Sequence, residues 1–581
     1  MRHLQYLNKF LWKYRMLLIL GTIFILIANL FALYPAEFVR KALDTAVLSA
    51  QENTQSSNIH YIILKYGLLI VSFAILKGIF MFFMRQTVIV MSRKIEFDLK
   101  NEIYQQYQSL GMGFYKKNKT GDLMNRISED VSRVRMYLGP ALMYAINILI
   151  LFYLVISKML SISPKLTLYV LIPLPILAIL VYFVSSNINK KSEKVQQKLS
   201  KITAISQENF SGIKIIKSFG NEEDTWKVFL ESCKEYTHKQ MQLVKVEAVF
   251  FPLIIIMIGM STILTIYIGG SESFKGNITT GNIAEFIIYV NMLAWPVASV
   301  GWITSIIQRA AASQERINDF LILKSEIQNN TKYHTPILGD INFKNVSLTY
   351  DDTDITALNN VSFTISERTR FGIFGKTGSG KSTIANLICR LYDTSKGKIT
   401  FGKTNIKDLN LSSLRSCMGY IPQDGYLFSG SIKENIAFAS SLIKKDNIIE
   451  AARKADILEE VEDFTDGFET VIGERGVKLS GGQRQRLSIA RTFYKNPDIF
   501  IFDDCLSAID ATKEQKILKT LNAESKGKTS IIISHRTATL KHTDYIIVLE
   551  SGKIIEEGTH QSLIEKRGFY YEINKSQNNA L

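Results

Sequence analysis

Long apolar stretches separated by charged segments occupy the first half of the chain. Stretches such as Met16 to Pro35 and Ala248 to Ile268 run for roughly twenty residues with almost no charge, the length that a helix needs to cross a bilayer. Length and loop polarity predict about six spans, at roughly 16–36, 62–91, 138–157, 166–187, 248–268 and 283–307. After about residue 310 the apolar excess ends, and charged residues with Gly and Asp turns indicate a water-exposed domain.

The connections between the predicted spans differ in length. The external ones are short, whereas the two internal ones span about 45 and 60 residues with mixed charge and helix-forming composition, which predicts helices that project into the cytoplasm. Each internal connection carries a break, one near 120–126 and one near 210–214. These breaks predict short transverse helices that contact the second half of the chain, with plain helix corners as the alternative.

A few polar and aromatic residues interrupt the apolar spans. Lys77 lies deep in the second span, where an ammonium is costly unless it faces water or a partner, or unless helix tilt brings it to the interface. Trp295 and Trp302 are candidates to stack on an aromatic or cationic cargo, with packing or interface anchoring as the alternative. Asn147 and Asn291 are expected to form hydrogen bonds between helices.

The position of the basic residues changes the interpretation of the net charge. The chain has 581 residues and a formal net charge of +16, a balance that raises the possibility of nucleic-acid binding. However, Lys and Arg concentrate at the N-terminus and in Arg93 to Arg135 and Lys190 to Lys245, with only about five in the opposite loops. This bias predicts a multi-pass protein of the cytoplasmic (inner) membrane, with both termini inside and no nucleic-acid partner.

A glycine-rich octet, GKTGSGKS, is the first motif of the second half that indicates a chemical function. It matches the phosphate loop, in which glycines let backbone N–H groups point at phosphate oxygens ahead of a helix N-terminus. A predicted strand at Arg370 to Phe374 precedes it and a predicted helix at Thr383 to Leu391 follows it. The candidate nucleotide-binding residues are Gly375, Lys376, Thr377, Gly378, Ser379, Gly380, Lys381, Ser382 and Thr383, with Lys381 on the β- and γ-phosphates and Ser382 on Mg2+.

Strand patterns surround this loop. Runs at Ile341 to Tyr350 and Val361 to Ile365 precede it, and Phe500 to Asp503 is predicted to be a buried strand whose terminal carboxylate serves as the acidic partner of Mg2+. The predicted fold is an all-α membrane domain of six transmembrane helices at 1–323, a linker at 324–336, and an α/β P-loop NTPase domain at 337–581.

Further motifs resemble those of a half-size ABC exporter of the multidrug or lipid type, and the resemblance covers nearly the whole chain. The ABC signature LSGGQ stands at Leu479, Ser480, Gly481, Gly482 and Gln483. Tyr350 resembles the aromatic residue that stacks on adenine, Gln423 the Q-loop glutamine that also approaches the metal, and His535 the switch histidine. Gly473 to Gly476 resembles the X-loop and Ser507 to Asp510 the D-loop.

The resemblance implies an ABC ATPase coupled to transmembrane transport, with ATP and Mg2+ as cofactors and a second half-transporter subunit as partner. In this family the signature of one subunit completes the nucleotide site of the other. Physical chemistry fits these roles: Tyr350 offers a flat face to a base, His535 can contact the γ-phosphate, and Ser480 to Gly482 offer a hydroxyl and open backbone amides at a predicted helix start.

One residue departs from the family pattern. Hydrolytic sites of the family carry Glu after the Asp of the Mg2+ strand, and this chain has Asp504. Because a general base tolerates little misplacement, the missing methylene predicts a site that binds ATP and cleaves it slowly. With an intact signature, this favours the weakened-site subunit of a heterodimeric exporter over a homodimer, although His535, often lost in weakened sites, is present.

We therefore expect ATP-driven export of amphipathic or hydrophobic substrates, with Asp504, His535 and Gln423 as catalytic residues and Ser382, Gln423 and Asp503 at the metal. A lipid flippase or a homodimeric exporter is the first alternative. A nucleotide-gated membrane sensor or channel that does not pump is the second, favoured by Asp504. A soluble ABC protein of DNA maintenance or translation is excluded if the apolar segments insert in membranes.

Overall fold

The computed structural model describes residues 2–51, 58–329, 331, 337, 339–440, 442–473, 479–506 and 509–579. Internal contacts divide the chain into two compact units. One comprises Met1–Tyr107 and Gly121–Leu323, and the other comprises Gln108–Thr120 and Lys324–Leu581. A short piece of the first internal connection therefore belongs to the second unit.

Helices dominate the segments up to residue 323, because apolar runs of this length satisfy their backbone polar groups internally. The helices are α1 (Asn8–Lys13), α2 (Arg15–Gln51), α3 (Asn58–Ser109), α4 (Met112–Lys117), α5 (Thr120–Asn125), α6 (Val131–Met136), α7 (Leu142–Ile162), α8 (Pro164–Leu171), α9 (Pro173–Ser211), α10 (Ile213–Phe219), α11 (Glu222–Phe274) and α12 (Thr280–Ile322).

Within the described residues, six helical runs are long and apolar enough to cross a membrane: Arg15–Ser49, His60–Ser109, Thr120–Ile162, Pro164–Ser211, Glu222–Phe274 and Thr280–Ile322. Each predicted span falls within one run, which confirms the prediction of six. The runs extend well beyond the apolar spans, because polar residues of the internal connections continue the helices. The third run is continuous through π-helical segments at Arg126–Asp130 and Tyr137–Ala141.

Burial differs strongly between the apolar helices. Phe286, Tyr289, Val290 and Leu293 of α12 are 0% exposed, and their spacing places them on one helical face that packs into the core of the first unit. The apolar stretch of α3 is mostly exposed instead. An exposed apolar helix of this length is a surface for lipid or for another chain.

Several polar and aromatic residues of the spans were singled out in the sequence, and the structure shows what they contact. Asn147 Oδ1 accepts a hydrogen bond from Asn29 Nδ2 at 2.9 Å, which confirms it as a partner between helices. The expectation for Asn291 is wrong, because its amide donates to Ile287 O of its own helix at 2.8 Å, a carbonyl within reach four residues back. Trp302 packs edge-on against Tyr144 with ring centroids 5.7 Å apart. Lys77 is half-buried on α3, and its role stays a hypothesis.

The short helix of the first internal connection lies earlier than predicted. Residues 120–125 begin the third long helical run, and the separate helix is α4, bounded by extended backbone at Gly111 and Asn118. The predicted position at 120–126 is therefore wrong, because the break lies at 118–119 and Gly121 is tolerated inside a helix. The expected contact of a short helix with the second half is confirmed, since α4 belongs to the second unit. The second break is confirmed: α9 ends at Ser211, α10 spans Ile213–Phe219, and Gly220 after it has left-handed backbone with φ +63°. A contact of α10 with the second half stays a prediction.

The second unit contains twelve strands among its described residues: β1 (Ile341–Tyr350), β2 (Ile355–Ile365), β3 (Arg370–Gly375), β4 (Lys396–Phe401), β5 (Thr404–Asn405), β6 (Met418–Ile421), β7 (Gly430–Ser431), β8 (Val471–Ile472), β9 (Ile499–Asp503), β10 (Thr529–Ser534), β11 (Tyr545–Glu550) and β12 (Lys553–Gly558). A four-stranded antiparallel sheet has the order β2-β1-β4-β5. A six-stranded sheet has the order β12-β11-β3-β10-β9-β6, with β12 antiparallel to an otherwise parallel set. A short ladder pairs β7 with β8.

Helices cover the strands, as an α/β fold requires. They are α13 (Lys381–Ile388), α14 (Leu411–Ser416), α15 (Ile432–Ile436), α16 (Lys445–Lys454), α17 (Leu458–Glu462), α18 (Gly481–Lys495), α19 (Ala511–Glu524), α20 (Thr537–Leu540), α21 (His560–Glu565) and α22 (Phe569–Asn579). The predicted α/β fold is confirmed.

Parallel strands bring the candidate site residues to one edge of the larger sheet. In the register, Ser534 of β10 pairs with Phe374 of β3, and Ile533 pairs with Asp503 of β9. The carboxyl ends of β3, β9 and β10 therefore meet, and the loops that follow them lie side by side.

Candidate active site

The phosphate loop lies between β3 and α13, as its motif predicts. Gly378 and Gly380 have φ of +83° and +100°, in the left-handed region that favours glycine. A Cβ at Gly380 would stand 2.4 Å from the backbone oxygen of Ala357, so no larger residue fits there. The helix begins at Lys381, two residues earlier than predicted.

Lys381 is held against the loop that it serves. Its Nζ donates to the carbonyl oxygens of Gly375 at 2.8 Å and Lys376 at 2.7 Å. Burial lowers the pKa of Lys381, and the carboxylates of Asp504 and Asp503 oppose that shift. The ammonium thus lies between a turn of backbone carbonyls and two acids.

Ser382 and Asp503, predicted on separate grounds as metal ligands, are in contact. Ser382 Oγ donates to Asp503 Oδ1 at 2.9 Å, and the hydroxyl of Tyr420 donates to Asp503 Oδ2 at 3.1 Å. Burial raises the pKa of Asp503, and these two hydrogen bonds oppose the rise. A hydroxyl and a carboxylate oxygen at one point fit Mg2+, which takes few protein ligands beside phosphate and water.

Asp504 and His535 also meet, although 31 residues separate them in sequence. His535 Nδ1 lies 2.8 Å from Asp504 Oδ2 and 3.0 Å from Oδ1. Asp504 has φ +47°, and its backbone N–H donates to Ile533 O at 3.0 Å. This backbone turn aims the carboxylate at the loop after β10, where His535 lies.

A cavity of about 450 Å³ is bounded by the phosphate loop and the two acids, whereas His535 is absent from its described lining. Of the predicted site residues it is lined by Tyr350, Thr377, Gly378, Gly380, Lys381, Ser382, Thr383, Gln423, Asp503 and Asp504. The structure therefore places the adenine-stacking candidate, the phosphate loop and the acids around one space. Gly375, Lys376 and Ser379 belong to the loop but do not line this space.

Sequence reasoning missed several residues around this cavity. Ser551 and Gly552 line it from the turn between β11 and β12, and Tyr420 reaches Asp503 from β6. Lys116 of α4 places its Nζ 4.3 Å from the ring centroid of Tyr350. Lys116 carried no local signal, because its segment lies more than two hundred residues from Tyr350 in sequence. The Tyr350 hydroxyl lies 3.1 Å from Thr383 Oγ1, which holds the ring beside the loop.

The signature residues form a helix start, as predicted, but not in this cavity. Ser480 caps α18: its Oγ accepts from Gln483 N at 3.2 Å, and Gln483 Oε1 accepts from Ser480 N at 2.9 Å. Leu479 to Gln483 are absent from the described lining of the cavity. Glu460 braces this helix start through Gln483 Nε2 at 3.0 Å and Arg486 at 2.8 Å.

Two of the resemblance motifs are only partly described. Glu474, Arg475 and Gly476 of the X-loop and Ser507 and Ala508 of the D-loop lie outside the described residues. Asp510 of the D-loop caps α19, since its carboxylate accepts from the N–H groups of Thr512 and Lys513. The roles of both motifs stay predictions.

Comparisons with known proteins agree with this arrangement. The family model of the ABC transporter transmembrane region matches residues 16–297, and that of the ABC transporter matches residues 358–507. The chain is 32% identical to the uncharacterized ABC transporter ATP-binding protein YknU of Bacillus subtilis (strain 168), over 98% of this chain and 96% of that protein. It is 33% identical to the multidrug resistance-like ATP-binding protein MdlA of Escherichia coli (strain K12), over 84% and 82% of the two chains.

A solved structure shares the fold. The structure of a bacterial Atm1-family ABC exporter with ATP bound matches with a TM-score of 0.81 over 97% of this chain and 98% of that chain, at 24% identity. The described residues contain six apolar helices and an ATPase domain with a phosphate loop and a signature. Relatives match over nearly the whole chain, so these findings together identify the kind of protein. It is a membrane ATPase that couples ATP hydrolysis to transport and works as a dimer with another half-transporter. The chain belongs to the ABC transporter family, as a half-size exporter with fused transmembrane and ATPase domains.

Proposed function

We propose that this chain is the weakened-site subunit of a heterodimeric exporter that moves amphipathic or hydrophobic compounds out across the cytoplasmic membrane. The observation that carries the proposal is Asp504, one methylene shorter than the glutamate of hydrolytic sites in the family. A relative such as MdlA is named for multidrug resistance, which supports this class of cargo.

The chain's own residues would hold ATP as follows. Tyr350 would stack on the base, the phosphate-loop amides and Lys381 would bind the phosphates, and Ser382, Asp503 and Gln423 would hold Mg2+. The metal neutralises phosphate charge when bound. Leu479 to Gln483 are absent from the described lining of this cavity. The signature of the partner subunit would therefore contact the γ-phosphate.

Asp504 would place its carboxylate short of the attacking water. Its contact with His535 at 2.8 Å fixes the side chain toward the histidine, so extra reach is not gained by rotation. A displacement of about 1 Å can cost on the order of a hundredfold in rate. The site would thus bind ATP and hydrolyse it slowly, while the signature of this chain serves a competent site in the partner.

A cavity in the first unit supports amphipathic cargo. It measures about 370 Å³ and lies between α9 and α12. Its lining passes from apolar Val181 and Val297 to hydroxyls such as Ser185 and Thr304, and then to the charged Lys190 and Glu193. A molecule with an apolar body and a polar end matches that gradient.

Lys381→Ala tests the asymmetry between the two sites. In the assembled transporter, reconstituted in vesicles, this change should lower ATP turnover and cargo transport less than the equivalent lysine change in the partner. The reason is that Lys381 serves the slow site. Equal losses from the two changes would contradict the heterodimer, and ATP turnover without transport against a gradient would favour the sensor or channel.

The intact pair of His535 and Asp504 favours a second candidate, a homodimer in which both sites hydrolyse slowly. Purification of the tagged chain from its native membrane distinguishes the two. Copurification of a second half-transporter supports the heterodimer, whereas recovery of this chain alone as a dimer supports the homodimer.

A further inference from the structure

The C-terminal helix α22 lies beside the loop that carries His535. Tyr570 of this helix is 0% exposed, and its ring packs edge-on against Phe374 of β3 with centroids 4.9 Å apart. The helix is therefore anchored in the core at its first turn. Two turns later, half-buried Gln577 faces the His535 loop.

Gln577 contacts the backbone on both sides of Arg536. Its Nε2 donates to His535 O at 2.8 Å, and its Oε1 accepts from Thr537 N at 3.0 Å. Asn574, one turn earlier, accepts from Thr537 Oγ1 at 2.9 Å. A primary amide that bonds a carbonyl and an amide two residues apart restricts the loop at two points.

The histidine is thus held from two directions. Asp504 engages Nδ1 of the ring at 2.8 Å, and Gln577 engages the carbonyl of the same residue. The nitrogen that Asp504 does not engage is Nε2, the atom left for a phosphate. Its position depends on the backbone that Gln577 restrains.

We propose that Gln577 is a positioning residue for His535, so that the C-terminal helix sets the place of the switch histidine at the γ-phosphate. This inference rests on the role proposed above for His535. Gln577 is not needed to fold the helix, because Tyr570 and the carboxylate of Glu556, which accepts from the N–H groups of Phe569 and Tyr570, already anchor its start.

Gln577→Ala tests the inference in the assembled, full-length transporter. The test uses the Asp504→Glu background, in which hydrolysis at this chain's site is expected to be visible. We expect kcat for ATP to fall about tenfold with KM within about twofold, since small displacements of a catalytic group cost rate rather than ground-state binding. Asn578→Ala, which removes an exposed amide from the same helix, is the matched control and should leave both constants unchanged.

Gln577→Glu separates the two contacts of the amide. It retains an acceptor for Thr537 N–H and loses the donor to His535 O, so turnover should fall between those of the parent and Gln577→Ala. Unchanged kcat in Gln577→Ala, a KM that rises with the loss of kcat, or an equal loss of kcat in the Asn578→Ala control would overturn the proposal.

Failure of the weakened-site proposal gives a different result. If Asp504→Glu does not raise turnover, that proposal fails, and the wild-type chain becomes the reference for Gln577→Ala. A tenfold fall in kcat against that reference still supports Gln577 as a positioning residue, and no fall still overturns it.

Discussion

At the scale of single residues, the site depends on side chains that the backbone aims. Asp504 follows a fully buried strand and has φ +47°, a region that Asp enters more readily than most residues. From there its carboxylate contacts His535 at 2.8 Å and also lines the cavity. We therefore propose that the length of the Asp504 side chain sets the rate of hydrolysis at this site.

Asp504→Glu should raise ATP turnover at this chain's site, because the added methylene brings the carboxylate to the distance that hydrolytic sites of the family use. A gain of about tenfold or more is expected from a shift of about 1 Å. The measurement is steady-state ATP turnover of the assembled transporter with the partner's own hydrolytic site inactivated, so that only this chain's site contributes. Asp504→Asn is the matched control that removes the base and should lower that turnover. Unchanged or lower turnover in Asp504→Glu would show that the aspartate is already adequate.

At the scale of elements, the signature helix depends on an ion pair from another helix. Glu460 of α17 bonds Gln483 and Arg486 at the start of α18, and Arg486 is only 5% exposed. Hydrogen bonds from Arg486 and other donors lower the pKa of Glu460 from 4.5 to about 2. A buried guanidinium without this carboxylate would be poorly compensated.

Glu460→Gln should therefore lower stability, by about 2 kcal/mol at neutral pH, the order of a hydrogen-bonded charged pair. The folded pKa lies below the unfolded one, so the stabilisation is fully present above pH 4.5 and is lost as the pH falls toward 2. The measurement is the Tm of the purified wild type and variant, at pH 7 and at the lowest pH that the detergent system tolerates. Glu459→Gln, which changes an exposed residue, is the control. The Tm gap between variant and wild type should shrink in acid, and a gap that is constant with pH would contradict the ion-pair explanation.

At the scale of the whole molecule, we propose that one chain contributes parts of two different nucleotide sites. The cavity at the phosphate loop is lined by residues between Tyr350 and Gly552, and the signature at Leu479 to Gln483 stands apart from it. In the proposed arrangement a second half-transporter completes each site, which agrees with the dimer that half-transporters form. The exposed apolar stretch of α3 gives the membrane or the partner a matching surface.

Ser480→Ala in this chain should lower turnover of the assembled transporter more than Lys381→Ala in the same chain. In the proposed heterodimer, Ser480 would complete the fast site of the partner, whereas Lys381 would serve the slow one. Steady-state ATP turnover measures both, and Ser412→Ala, on an exposed serine of α14, is the control. Because Ser480 also caps α18, its loss costs about 1 kcal/mol of stability, and a parallel Tm measurement separates the two effects. Equal effects of the two changes would indicate a homodimer.

Local pattern was sufficient for much of this chain. Apolar runs predicted six spans, because the length and hydrophobicity of a segment suffice for a helix to cross a bilayer. The glycine octet predicted the phosphate loop, because glycine readily adopts the left-handed backbone angles of that loop. Phe500 to Asp503 was found for a similar reason, since a fully buried strand has a continuous apolar run. The position of the first break and the hydrogen-bond partner of Asn291 were predicted wrongly, because helix continuation and side-chain bonding to a helix carbonyl depend on neighbouring residues rather than on residue type.

Sequence by itself determined the order of the domains, the identity of the loop residues and the missing methylene at Asp504. Only the tertiary structure decided which groups meet: Asp504 with His535, Tyr420 with Asp503, Lys116 with Tyr350, and Gln577 with the His535 loop. The reason is physical. Backbone preference and membrane partition are properties of short segments, whereas these contacts arise because parallel strands and packed helices bring distant segments to the same edge of a sheet.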